Sequence, residues 1–147
     1  MKINTLLAFL LFFFGLNQTK AQTFNLEVGD WVMIGDCKQN AQNFDFIDEY
    51  ARTLPLDTAG INKSTGDGLL DAFFNDKSID AHRLPCIHAG KKYQIAAFHT
   101  FEVEDKTDKN KKVEQQVMLL YSGYSQTIFW VMIKEALGAK EIALISH

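Results

Sequence analysis

Lys92 to Glu104 (KYQIAAFHTFEVE), the charged run Asp105 to Lys112 (DKTDKNKK) and Val113 to Tyr121 (VEQQVMLLY) read together as a strand, a turn and a returning strand. In the first segment Tyr93, Ile95, Ala97, His99, Phe101 and Val103 take the odd positions, between Lys92, Gln94, Ala96, Phe98, Thr100 and Glu102. That is the period of two of a strand with one face buried. An antiparallel hairpin is therefore the expected nucleus of the fold.

Working outward, Ser122-Gly123 is a turn signal, and Gln126 to Ile133 (QTIFWVMI) is apolar on both faces, as a central strand requires. Lys134 to Ala139 has room for one helical turn, and Glu141 to Ser146 is expected as a last strand docked in the sheet. On the N-terminal side, Leu26 to Ile34 reads as the first strand, stopped by Gly35-Asp36. From Ala41 to Thr53 the residues Phe44, Ile47, Ala51 and Leu54 fall at helical spacing, widened by Phe46 and Tyr50. Asn40 or Asn43 is a suitable cap, Asp45 and Asp48 suit the first turns, and Pro55 stops the helix. After a turn-rich stretch, Asp67 is expected to cap a second short helix that buries Leu69, Leu70, Phe73 and Phe74. The fold class that follows is α+β: a curved antiparallel sheet of about five or six strands with two N-terminal helices packed on it.

The chain begins with Lys2 and an apolar run of 12 residues, Thr5 to Leu16, before Asn17, Gln18, Thr19 and Lys20. This is the layout of a cleavable signal peptide, and the run is well short of the about 20 residues of a membrane span. Thr19 and Ala21 are the small pair a signal peptidase reads, so residues 1–21 are expected to be removed and 22–147 to form a single domain. Intact mass of the exported protein is expected to place the mature N-terminus at Gln22; full-length chain in the membrane fraction would overturn this. Cleavage takes Lys2 and Lys20 and leaves 13 basic against 18 acidic side chains, a net charge near −5. An acidic chain without a basic, aromatic-studded stripe disfavours nucleic acid as a partner.

Chemistry concentrates in His82 to His88 (HRLPCIH), with two imidazoles and a thiol within seven residues. If Pro85 begins a strand, Cys86 and His88 share a face. With Cys37 added, four donors of the zinc-binding type are available, Cys37, His82, Cys86 and His88, although His-x3-Cys-x-His is not a zinc spacing. The simplest use of the only two cysteines in an exported chain is a disulfide between Cys37 and Cys86. A thiol nucleophile at Cys86, with His88, His82 or His99 as base, is the competing chemistry, and a disulfide forbids it. His99 alone, on the apolar face of its strand, reads as a hydrogen-bonded core residue.

No segment implies a cofactor. The first expectation is a non-catalytic binding module, inhibitor- or immunity-like by class, in the periplasm or outside the cell. It would contact another protein or an envelope component. The alternatives are a metal- or thiol-dependent enzyme centred on Cys86 and His88, and a small protein holding an apolar ligand within its curved sheet.

Overall fold

The computed structural model describes residues 25–145, so the signal peptide expected at 1–21 lies outside the described residues. In chain order the elements are β1 (Trp31–Ile34), β2 (Asn43–Arg52), α1 (Leu69–Phe74), β3 (Ile79–Pro85), β4 (Lys92–Glu104), β5 (Lys112–Tyr121), β6 (Thr127–Met132), α2 (Ile133–Gly138) and β7 (Ile142–Leu144). The strands form one antiparallel sheet of seven, in the order β3-β2-β6-β5-β4-β1-β7. This corrects the expected α+β arrangement: the sheet dominates, and the two helices are single short turns, one mid-chain and one near the C-terminus. Among the described residues no helix is long and apolar enough to cross a membrane.

The helix expected over 41–53 is the strand β2. Its register with β3 jumps from Asn43↔Pro85 to Asp48↔Arg83, so β2 is bulged between them. A bulge inserts extra residue into a period-two pattern and converts a step of two into a step of three. Phe44 and Ile47 therefore both reach the inner core at a spacing that imitates a helix. The second expected helix forms where predicted and buries Leu69 and Phe73. Its N-cap is Gly68, while the carboxylate of Asp67 accepts the Thr65 hydroxyl instead.

A second bulge corrects the face assignment of β4. Ile95 stands opposite Leu120 and Ala97 opposite Leu119, leaving Ala96 as the extra residue. Tyr93, Ile95 and Phe98 consequently belong to the inner core, whereas Ala96 and Ala97 lie under α1. Gly66, at φ 77°, sits on this bulge, where a Cβ would run into the Ala96 carbonyl and the Ala97 side chain.

The sheet curls so that its two margins meet. Cys37, just after β1, and Cys86, just after edge strand β3, are joined by a disulfide with Cα atoms 5.7 Å apart. Inside the curl Val32, Ile34, Phe44, Ile47, Leu84, Met118, Phe129 and Val131 pack together with Ile133 and Ala136 of α2. On the outer face α1 covers Ala96, Ala97, Leu119 and Ile128. Arg52 ties α1 to the sheet through the Ala72 carbonyl at 2.9 Å and Asp76 at 3.5 Å. The doubly apolar β6 is thus divided, with Phe129 and Val131 inside and Ile128 and Trp130 outside.

The β4–β5 turn organises itself. The Asp105 carboxylate accepts the Thr107 hydroxyl, the Thr107 amide and the Asp108 amide, bonds that hold its pKa below the usual carboxylate range. Replacing residues 105–111 by Asn-Gly is expected to change stability by less than about 1 kcal/mol in denaturant unfolding. A larger loss would show that the loop carries packing or an ion.

Candidate functional site

The bulge in β2 turns Glu49 toward the inside of the curl. It stands directly opposite His82 on β3 and Phe129 on β6, and Phe129 stands opposite Leu120 on β5. Directly opposed residues share a face of the sheet, so these side chains form one row across the concave surface. His82 Nε2 lies 3.2 Å from Glu49 Oε2, with the imidazole half exposed and the carboxylate mostly covered.

His88 enters the same surface from a 3-10 turn, Cys86–His88, that follows β3. This corrects the expectation that Pro85 begins a strand: Pro85 ends one. Proline has no N–H and suits the end of an edge strand, and at φ −66° and ψ 148° it turns the chain into the 3-10 segment. The Cys86 amide is bonded to the Gln42 carbonyl, and its sulfur is fixed to Cys37, so the turn is held at both atoms. The His88 ring meets Phe129 edge-on at 5.1 Å, and its Nδ1 is 2.6 Å from the Tyr93 hydroxyl. Tyr93 also packs edge-on against Phe129, at 4.8 Å.

Burial pushes the His88 pKa down, the charge of Lys91 adds to this, and Glu49 opposes it. Burial raises the Tyr93 pKa, helped by the negative potential of Glu49 and by Tyr124. The charge of Glu49 thus acts on both members of the pair. A histidine held below its unfolded pKa, about 6.5, stabilises the fold above that pH and loses the contribution as the pH falls through its folded value. The wild type is therefore expected to lose stability more steeply between about pH 7 and pH 5 than His88→Gln. Denaturant midpoints across that range check it; parallel curves would refute it.

Exposed apolar side chains occur beside His88 in sequence and in the turn that follows β5. Ile87 is 75% exposed and Tyr124 77% exposed. Leu54, also exposed, belongs to a loop laced to the Tyr124 turn by Leu56 N to the Ser125 carbonyl and Gln126 Nε2 to the Thr53 carbonyl. Ser122 Oγ accepts the Tyr124 amide and donates to the Thr127 carbonyl, which fixes that turn.

The residues singled out from sequence have separate fates. Cys37 and Cys86 form the expected disulfide, so in this state neither supplies a thiolate to the nucleophile or metal-ligand roles considered for them. His82 and His88 come together around Glu49. His99 is on the opposite face, beside Phe101, and its Nε2 is buried with no hydrogen-bond partner. The expected satisfaction of that ring is not found. Among the described residues no three His, Cys, Asp or Glu side chains converge to hold a metal ion. Sequence reasoning missed Glu49, Tyr93 and Tyr124 as site residues. The signal that was available is the pairing of acidic and apolar residues in NFDFIDEY, which fits a bulged strand as well as a helix.

The chain matches no protein-family model, no curated protein and no solved structure.

Proposed function

We propose that this chain is an exported, non-catalytic recognition module, acting in the periplasm or outside the cell. It takes another protein or an envelope component at the concave surface that carries Glu49, His82, His88 and Tyr93, with Ile87 and Tyr124 as exposed anchors. The observation that carries the reading is the exposure of Ile87, which directly precedes His88, and of Tyr124, in the turn after β5, together with two half-buried polar pairs. An apolar and aromatic anchor next to satisfied hydrogen-bonding groups is the composition of a binding hot spot. The anchors are also held in advance, Ile87 by a turn tied to the disulfide and Tyr124 by its Ser122 contacts. Little ordering entropy remains to be lost on association. The disulfide supports an oxidising compartment.

The test places a photo-crosslinking amino acid at Tyr124 or Ile87, and at Lys109 on the opposite hairpin turn, in cells that export the protein. A discrete adduct from 124 and 87, absent from 109, is expected. Equal adducts from all three positions, or none from 124 and 87, would overturn the reading.

A further inference from the structure

The strand register leaves a second surface that the patch does not use. β4 is 13 residues long, yet its far edge is occupied only at the start. Trp31, Val32 and Met33 pair with Gln94, Tyr93 and Lys92, and Gly29 and Asp30 exchange backbone hydrogen bonds with Ile95. From Ala97 to Glu104, β4 has β5 as its one strand neighbour among the described residues. The far end of β5 also extends beyond its last pair with β6, Val117↔Met132, but α2 packs against that strand.

We propose that the 97–104 edge of β4 is a docking site for an extended polypeptide strand whose basic side chains alternate with apolar ones. The backbone argument is direct: an open antiparallel edge offers unpaired N–H and C=O groups on alternate residues, which an added strand satisfies. The side chains supply the selection. Thr100, Glu102 and Glu104 are exposed on one face of the strand, while His99, Phe101 and Val103 are half-buried on the other. Phe101 stacks on Trp130 at 5.3 Å and continues the outer aromatic surface toward the edge. A neighbouring strand sets its own side chains alternately beside these two rows, so bases meet the glutamates and apolar groups meet Phe101 and Val103.

The charge on this ribbon is left incompletely balanced. Glu102 stands directly opposite Glu114, a like-charge cross-strand pair that costs free energy. Lys112, opposite Glu104, reaches Glu102 at 3.4 Å, so this stretch of the face pairs one of its three carboxylates with the one ammonium it carries. Basic residues on an added strand relieve that repulsion. A second copy of β4 laid antiparallel over these residues sets glutamates against glutamates, so the same charges select against self-pairing.

The test titrates the mature protein with a short, end-blocked peptide of alternating Lys and Val, followed by amide-resolved NMR. Salt-sensitive shifts and slowed amide exchange confined to 97–104 are expected. They should vanish when alternate peptide amides are N-methylated, and survive Ile87→Ala and Tyr124→Ala. The Glu102→Lys/Glu104→Lys variant should bind the peptide roughly tenfold more weakly and accept its Glu-Val counterpart. Undiminished binding of the N-methylated peptide, shifts centred elsewhere, or no shifts at millimolar peptide would each overturn the proposal.

Discussion

Reduction of the Cys37–Cys86 disulfide is expected to lower the stability of the folded protein by about 4 kcal/mol. The bond spans 49 positions of chain, and closing a loop of that size removes conformational freedom from the unfolded ensemble. In a domain of this length the loss corresponds to a fall in Tm on the order of 15 °C, so the reduced protein folds with little stability to spare. The native-state consequence is local. The bond joins the end of β1 to the end of β3, so its loss frees the margins of the curled sheet to separate while the hairpin β4–β5 and its pairing with β6 stay in place. Ile87 and His88 follow Cys86 directly, and they should become mobile first. The Cys37→Ser/Cys86→Ser variant is expected to match the reduced protein in denaturant midpoint and to show broadened His88 ring signals. A midpoint unmoved by reductant would mean that the bond constrains neither state.

What the sequence made legible was governed by regularity of period. β4, β5 and β6 carry alternation or sustained apolar character over six residues or more, and these are the central strands of the sheet. β3 carries one fully buried residue, Leu84, because it is an edge strand, and Ile79 to Pro85 therefore lacks any apolar rhythm. β2 was misread for a more specific reason: its bulge places Phe44 and Ile47 three apart on the same side. The site suffered in turn. His82 and His88 stood out by residue type, but their partners depend on how β2 and β4 register. Glu49 falls inside the segment whose spacing predicts a helix, and Tyr93 falls in the alternating row of β4. Only the cross-strand pairing Glu49↔His82 and the bulge at Ala96 bring them to one surface.

The bulge in β2 also has a structural consequence at Glu141, whose substitution is expected to be about as costly as losing the disulfide. Between Asn43 and Asp48 the pairing of β2 with β3 is interrupted, and pairing with β6 begins only at Ile47. The amides of Asp45 and Phe46 thus have no strand to bond. Glu141, just before β7, supplies the acceptors: one carboxylate oxygen takes the Asp45 amide at 2.7 Å and the other takes the Phe46 amide at 2.8 Å. The residue is 3% exposed, so water cannot replace it. Its backbone is equally committed, with its N–H on the Ala136 carbonyl and its carbonyl accepting from Gly35. Gly35 itself admits no side chain, since a Cβ there would collide with the Lys140 carbonyl. A hydrogen bond to a charged acceptor contributes about 1.5 to 3 kcal/mol, so Glu141→Ala, which takes the acceptor from two part-buried amides, should cost about 4 kcal/mol. Glu141→Gln retains one accepting oxygen and turns an NH2 toward the other amide, and it should cost about half as much. Amide exchange supplies the local signature: Asp45 and Phe46 should be protected in the wild type and lose that protection first in either variant. A cost for Glu141→Ala below about 0.5 kcal/mol, the range of ordinary surface changes, would show that the bulge is held by packing alone.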